Sequence, residues 1–298
     1  MRTISEQPDE DNATMDESDE RTETDQPATE SMAFDHDVVI VGGSAAGLAA
    51  GVFTARHGLE TLVLRGGHTA LLRCSLLENY LGLTNVDPAD FLEVATEQAR
   101  DAGCRVENRR VEQLRRNGVG FAVDTVDETI TTRRVVAASG SENDYLEEIA
   151  DGALYCGPAT HDNLEYYVPC DDAGRTAVDG LYATGRLSGV EHQVLIAAGN
   201  GARVGLAVVR DSLRDAGLWD DLADHYHDWT VYPHRHDGWE IDDWLRERLP
   251  DDIDPDDDAV AERLAAYRER LEARTRTETE QADRLERGQE LLEQYHDE

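Results

Sequence analysis

The chain has 298 residues, in which 28 basic residues stand against 64 acidic ones, so its formal charge is −36. Such a negative surface repels phosphate backbones and anionic lipids, which argues against nucleic acid and membrane surfaces as partners. No stretch approaches the roughly 20 consecutive apolar residues of a membrane span. The first residues are acidic and lack the basic start of a secretion signal. We therefore expect a cytoplasmic protein.

The kind of basic residue is informative, because all 28 are arginine and none is lysine. Excess carboxylate with no lysine is typical of halophilic proteins, in which a hydrated acidic surface favours solubility in concentrated salt. Composition also divides the chain into three regions. Residues 1–34 are predicted to form an acidic disordered tail, 35–210 an apolar, glycine-rich domain, and 211–298 an acidic helical region.

The first elements of the middle region form a strand, a helix and a second strand. The branched apolar run at 38–41 predicts a buried parallel strand, and residues 61–64 predict the next one. The helix between them spans 45–56 and is closed by Gly58. Small residues fill the first turn, in the order Gly42, Gly43, Ser44, Ala45, Ala46, Gly47. This spacing lets a backbone approach a pyrophosphate at a helix N-terminus and therefore predicts dinucleotide binding.

The next elements are a helix and an antiparallel meander. Asp87 and Pro88 predict the start of a helix that runs to Gly103. Three strand patterns follow, with an Asn117-Gly118 turn between the first two, and the third ends in a buried strand at 135–138. An inserted meander of this kind departs from a plain NAD-binding Rossmann domain.

Three further segments resemble thioredoxin reductases and their relatives. They are Glu78 to Gly82, Gly180 to Arg186, and Glu191 to Ala202, and with the glycine loop they cover about 37–210. The resemblance implies an α/β, Rossmann-like FAD-binding domain, a parallel sheet with an antiparallel meander, followed here by a helical C-terminal region.

The family's cofactor contacts are carried over position by position. The resemblance places Gly42, Ser44, Ala45 and Gly47 at the FAD pyrophosphate, Val111 near adenine, Ser139 and Gly140 over the dinucleotide, and Gly185 and Arg186 at the ribityl chain. It places His192, Gln193 and Val194 at a helix start aimed at the flavin, and Asn79 in a segment close to the flavin ring. A helix N-terminus there favours negative charge on the flavin.

Two arginines depart from the family pattern. Arg65 stands where the second strand usually ends in an acid that bonds the adenosine ribose, and Arg186 stands where an aspartate usually follows the late glycine. Either guanidinium would suit a phosphate instead.

The chain also departs from the family by a deletion. Only about forty residues separate Gly140 from Gly185, where the reductases insert an NAD(P)H domain. NAD(P)H is therefore expected only as an external reductant.

The cysteines do not form the tight pair that dithiol exchange requires. Cys156-Gly-Pro-Ala has the look of a redox turn whose resolving position is alanine. Cys156 and Cys74 are weak catalytic candidates, and a core position is the preferred interpretation of Cys74. The histidines at 225, 227, 234 and 236 lie among aspartates, but their spacing is a poor ligand signature, so no metal is predicted.

The leading hypothesis is an FAD-dependent oxidoreductase that transfers electrons or hydride at flavin N5 between external partners, which are small molecules or proteins. It differs from a conventional dithiol reductase. One alternative is a non-catalytic FAD-fold protein that binds a partner or forms a homodimer through its C-terminal helices. Another is a degenerate relative that binds a different adenine nucleotide, for which Arg65 and Arg186 are suited.

Overall fold

A seven-stranded sheet is the framework of the protein. The computed structural model describes residues 33–83, 85–150, 167–224 and 241–294, and the residues from Phe34 onward form one compact unit. The strands are β1 His36–Val41, β2 Thr61–Leu64, β3 Arg105–Glu107, β4 Val111–Asn117, β5 Gly120–Thr125, β6 Thr129–Ala137 and β7 Leu181–Ala183.

The sheet is parallel at its centre and antiparallel on one side. Its order is β3-β2-β1-β6-β5-β4, and β7 also pairs with β6. The second half of β6 lies parallel to β1 and β7, while its first half lies antiparallel to β5. Val39 is opposite Leu62 on one side and Val135 on the other. The predicted parallel sheet with a meander is therefore confirmed. Strand β3 has no counterpart in the sequence-based prediction.

Eight α-helices are described. They are α1 Ala45–Arg56, α2 Pro88–Asp101, α3 Glu147–Ala150, α4 Val194–Asp215, α5 Asp220–Asp224, α6 Ile241–Arg246, α7 Asp258–Glu272 and α8 Glu278–Gln294. Short 3₁₀ helices span Ala70–Arg73, Asp144–Leu146 and Gly185–Ser188. The Asp87 side chain accepts from the Ala89 amide and caps α2 as its sequence predicts. Gly58 has φ +80°, the left-handed conformation expected after α1.

The core lies on both faces of the sheet because side chains alternate along each strand. Val38 and Ile40 face a cluster that includes Leu48 of α1 and Val208 of α4. Val39 and its neighbours on the other face meet the meander and the segment around residues 145 and 146. Burying each such side chain contributes about 1.5–3 kcal/mol relative to exposure.

The C-terminal helices continue the first of these clusters. Helix α4 runs through the proposed boundary at residue 210, and Leu264, Tyr267 and Leu271 of α7 are buried in the same cluster as β1. These three residues follow helical spacing, so one face of α7 packs against the core. Trp219 and Trp244 pack against the cluster. The three-region division stays a prediction, and residues 1–32 lie outside the described part of the chain.

In the described residues, none of the helices combines the length and the apolar character needed to cross a bilayer.

Candidate functional site

The glycine loop after β1 lies where three strands end. The Gly42 amide donates to the Leu64 carbonyl oxygen of β2 at 2.8 Å, and Gly42 has φ +120°. A Cβ at this position would lie 2.3 Å from the Ala138 carbonyl oxygen, just beyond β6. No side chain fits there, and the positive φ strains any residue but glycine. The loop therefore leaves backbone, not side chain, at the carboxyl edge of the sheet.

The loop ends in a helix N-terminus that no side chain caps. Ser44 is the N-cap of α1, yet its hydroxyl lies 2.9 Å from the Thr69 hydroxyl and makes no cap bond. The first turn of α1 holds no acid. The first amides of a helix lack internal partners and carry a partial positive charge, so they favour an anion. This geometry suits a phosphate group.

A second helix reaches the same place by close packing against the first. Cβ atoms at Gly201 and Gly205 of α4 would lie 2.0 and 2.7 Å from the backbone oxygens of Ala46 and Ala50. Only glycine permits α4 to contact the backbone of α1 so closely. Helix α4 begins at Val194, and its N-cap, Gln193, also makes no cap bond. Two uncapped helix N-termini therefore lie near each other.

These termini border one large cavity of about 1700 Å³. That volume exceeds the roughly 300–1,000 Å³ of ordinary ligand sites and suits an extended dinucleotide. Fifteen of the sixteen residues predicted to bind cofactor line it, namely Gly42, Gly43, Ser44, Ala45, Ala46, Arg65, Asn79, Val111, Ser139, Gly140, Gly185, Arg186, His192, Gln193 and Val194. The sixteenth, Gly47, is buried beneath the loop, where a Cβ would lie 1.8 Å from the Gly42 carbonyl oxygen. Whether these residues contact a cofactor stays a prediction.

The charge of the cavity differs from that of the whole chain. Among the described residues, six arginines and seven acidic side chains line it, so the formal charge of this lining is −1, whereas that of the chain is −36. Three of the arginines contact acids within the described residues, in the pairs Arg100–Glu97, Arg109–Glu107 and Arg110–Glu142. The cavity therefore repels an anionic ligand much less than the rest of the surface does.

Arg65 extends from the end of β2 across the glycine loop. Its Nε donates to Asn108 Oδ1 at 2.6 Å, and one Nη donates to Thr96 Oγ1 at 2.9 Å. Its aliphatic carbons cover Gly43, where a Cβ would lie 2.5 Å from Arg65 Cβ. Both polar contacts are neutral groups, so the positive charge is held in place without being neutralised. The other departure, Arg186, contacts His192 Nδ1 at 3.2 Å near the start of α4.

Several residues that position the site escaped sequence analysis. Asn200 Oδ1 accepts hydrogen bonds from the Thr184 hydroxyl and the Gly185 amide, both at 2.7 Å, and so fixes the end of β7 to α4. The Tyr145 hydroxyl lies 3.2 Å from Ser139 Oγ. One signal was available, because Asn200 is a polar residue within an apolar helical run. Nothing in the local sequence indicates the Tyr145 contact.

The cysteines occupy three different environments. Cys74 is exposed and lines the cavity, so the preferred core interpretation is wrong; Leu71, three residues earlier, packs inward instead. Burial raises the pKa of the Cys104 thiol to about 12. Burial and the neighbouring aspartates raise the pKa of Cys170. Both thiols are therefore protonated at neutral pH and poor nucleophiles. Cys156 and the four clustered histidines lie outside the described residues.

The parallel sheet and the glycine loop after its first strand define a Rossmann-like fold. Residues 36–162 match the pyridine nucleotide-disulphide oxidoreductase family. Thioredoxin reductase from Treponema pallidum is 33% identical over 135 residues, which are 42% of this chain and 44% of that protein. The corresponding enzyme from Ureaplasma parvum is 28% identical over 131 residues, 41% of this chain and 42% of that one. Residues 36–162 are thus similar to that family, and the chain resembles the thioredoxin reductases within it.

Solved structures show the same fold. A thioredoxin reductase from Gloeobacter violaceus superposes with a TM-score of 0.50 at 20% identity, covering 60% of this chain and 96% of that one. An oxidoreductase from Agrobacterium tumefaciens superposes with a TM-score of 0.51 at 15% identity, covering 61% and 99%. The sequence match spans less than half the length of the first curated relatives.

Thioredoxin reductase-like proteins are FAD-binding flavoproteins. The residues present fit that group at the diphosphate, because the loop is closed to side chains and two uncapped helix N-termini border the cavity. At the adenosine end the fit is altered, since Arg65 replaces the acid that the family resemblance predicts.

Proposed function

We propose that this protein is an FAD-dependent oxidoreductase that exchanges electrons with external partners. The observation that carries the proposal is the cavity of about 1700 Å³, which is bordered by two uncapped helix N-termini and a side-chain-free loop. The flavin would supply two-electron or hydride chemistry at its N5 atom. The chain supplies binding, orientation and electrostatics.

Each part of the cavity has a role in this proposal. The backbone amides at the start of α1 would hold the diphosphate, and Asn200 would keep the Gly185 segment against it by its two 2.7 Å contacts. At the other end, Asn79 Nδ2 donates to Gln193 Oε1 at 2.8 Å and links the 78–82 segment to the start of α4. The amides of α4 would stabilise negative charge on the flavin.

External partners are favoured over an internal dithiol. The two described cysteines with raised pKa values, Cys104 and Cys170, are unsuited to thiolate chemistry, and Cys74 alone lacks a resolving partner among the described cysteines. NAD(P)H would then act as a diffusing reductant. We propose a small molecule or a redox protein as the second partner, and a homodimer is a further proposal.

Exposed apolar side chains support a docking partner at the α4 end of the cavity. Leu72 and Leu76, which line the cavity, are 56% and 43% exposed, and Leu195 and Ile196 at the start of α4 are 42% and 41% exposed. The 78–82 and α4 segments meet through the Asn79–Gln193 contact. Apolar groups grouped in this way are typical of an interaction surface.

A second function is favoured by Arg65. Rossmann-like sites use an acid at the end of the second strand for a ribose hydroxyl, and an arginine nearby for a ribose 2′-phosphate. Arg65 is held by Asn108 and Thr96 with its charge unpaired by any described carboxylate. The protein would then bind an adenine nucleotide with a phosphorylated ribose in place of FAD and would transfer no electrons through a flavin.

The absorption spectrum of protein purified in high salt separates the functions. Bound flavin that dithionite reduces and air reoxidises is expected under the leading proposal. Flavin that is bound but cannot be reduced indicates a non-catalytic FAD-fold protein. A colourless protein that 2′,5′-ADP stabilises, and FAD does not, indicates the second function and contradicts the first.

The role of Arg65 has its own test with two probes, 2′,5′-ADP and ADP. If Arg65 binds a ribose phosphate, Arg65→Glu should lower the affinity ratio of 2′,5′-ADP to ADP at least tenfold, because a charge-assisted hydrogen bond contributes about 1.5–3 kcal/mol. Arg73→Glu is the matched control, since Arg73 is exposed and lines the same cavity. An equal change of the affinity ratio in both variants would show that the effect comes from the general charge of the cavity and not from a contact of Arg65.

A further inference from the structure

A small second cavity of about 30 Å³ lies where the C-terminal end of α1 meets α4 and α7. His57 follows α1, Arg210 belongs to α4, and Arg270 and Arg274 come from the end of α7 and just beyond it. The glycine loop lies at the opposite end of α1, a helix of 12 residues and therefore roughly 18 Å long. This cavity is thus separate from the dinucleotide cavity.

The lining of this cavity is cationic in an acidic protein. Three arginines and a histidine line it, and its lining, all within the described residues, holds no aspartate or glutamate. The chain as a whole has 64 acidic residues against 28 arginines. Many other arginines in the described residues meet carboxylates, as Arg175 meets Asp211 with Nε–Oδ2 at 2.7 Å and Arg134 meets Asp215.

Arg210 and Arg270 lack that compensation. Neither forms a hydrogen bond or an ion pair with the part of the chain that the structure describes, and Arg210 Nε is shielded from solvent with no acceptor. A shielded donor without an acceptor costs about 1–3 kcal/mol, and more when it is charged. Two arginines that share a cavity also repel each other. An acceptor with a negative charge would remove both costs.

We infer that this cavity binds a small inorganic monoanion of the size of chloride, which holds α7 against α1 and α4. The volume allows about two or three water-sized occupants, because one requires roughly 10–15 Å³. Nucleotides and other organic phosphates are therefore excluded by size. Tyr267, on the same helix as Arg270, is buried beside the cavity and offers a hydroxyl donor.

The environment of His57 agrees with excess positive charge here. Burial, together with Arg274, Arg270 and Arg56, lowers the pKa of His57 to about 4. His57 Nδ1 lies 2.8 Å from the Phe53 carbonyl oxygen, so the Nδ1–H group donates to that oxygen. A bound anion would raise the pKa of His57 toward its ordinary value.

The test compares unfolding temperatures in sodium chloride and in sodium gluconate at equal ionic strength. Screening of the overall charge is then the same, and gluconate is too large for the cavity. We expect chloride to raise the Tm of the full-length protein above its value in gluconate. Arg210→Gln and Arg270→Gln should each abolish most of this chloride-specific rise, while Arg203→Gln, an exposed site on α4, should keep it.

The sign of the effect distinguishes anion binding from simple packing. In gluconate, Arg210→Gln should be as stable as the unmodified protein or more so, because a repelled cation is removed. A loss of stability that is equal in both salts would overturn the inference. If the variants do not fold, crystals of the unmodified protein grown in sodium bromide decide, since a bromide anomalous peak beside Arg210 and Arg270 supports the site and its absence refutes it. Neither result depends on whether flavin binds.

Discussion

Gly47→Ala is the sharpest test of the dinucleotide site. An alanine methyl group there would lie 1.8 Å from the Gly42 carbonyl oxygen and 3.0 Å from its carbon. Ordinary contact begins at 3.4 Å, so the helix and the loop must separate by 1.6 Å. The obstacle is backbone on both sides and no side-chain rotation relieves it. Gly51 on the same helix is the control, because its added methyl would lie 3.0 Å from Cys104 Sγ and 3.2 Å from Val63 Cγ2.

The two variants share one favourable contribution, since alanine exceeds glycine in helix propensity by about 1 kcal/mol. Gly51→Ala crowds only side chains, which move by a few tenths of an ångström, so its stability should be close to that of the unmodified protein. Overpacking against backbone costs about 1–3 kcal/mol. Gly47→Ala should therefore be about 2 kcal/mol less stable than Gly51→Ala.

Flavin binding should distinguish the variants more strongly than stability does. A loop displaced by more than an ångström no longer presents its amides within the 2.7–3.2 Å of a hydrogen bond. Losing one charge-assisted bond weakens affinity by about tenfold or more. The flavin-to-protein absorbance ratio and urea unfolding, with and without added FAD, measure both quantities. Equal flavin occupancy in the two variants would refute the assignment of this loop to the diphosphate.

Three other predictions concern the framework of the domain. Asp211→Asn should lower the free energy of unfolding by about 2 kcal/mol, because Arg175 loses its half-buried partner. Asp242→Asn, which breaks the exposed pair of Asp242 with Arg268, should cost less than about 1 kcal/mol. Equal losses in urea unfolding would contradict this. As pH rises from about 4 to 6.5, the free energy of unfolding should increase by up to about 3 kcal/mol because of His57, since its proton is bound only in the unfolded state over that range. In chloride-free buffer, His57→Gln should remove this contribution to the pH dependence of stability. Truncation after Arg210 should yield an aggregating protein, because it removes buried parts of the main core; a soluble monomer would refute that.

The boundaries of the first elements could be predicted because their signals are local. The branched run, the glycine loop and the closing glycine predict α1 at 45–56 and β2 at 61–64, as the structure has them. Strand β3 has no such signal. Its three residues, Arg105–Glu107, are polar at both ends, and they form a strand because β2 offers an unpaired edge.

The candidate site was predictable only where the residues follow one another in the chain. The loop and the Gly185 segment carry family motifs, so sequence was sufficient to name them. The neighbours of Arg65 come from α2 and from the end of β3, 31 and 43 residues away, and only the folded sheet brings them together. Cys74 shows the opposite error, because the apolar run around it made it look buried, although it is Leu71 and Leu77 of that run that pack inward.

The acidic composition of the chain leaves its arginines with many possible carboxylate partners. With 64 acids and 28 arginines, a randomly placed guanidinium has a high chance of a carboxylate neighbour, and several half-buried arginines have one, among them Arg115, Arg175 and Arg214. Arg65, Arg210 and Arg270 do not have one among the described residues, and each lines a cavity. The cavities differ in size by more than tenfold, about 1700 against 30 Å³. A nucleotide fits only the first, so adenine nucleotides should leave the chloride response of the Tm unchanged, and chloride should leave the choice between 2′,5′-ADP and ADP unchanged.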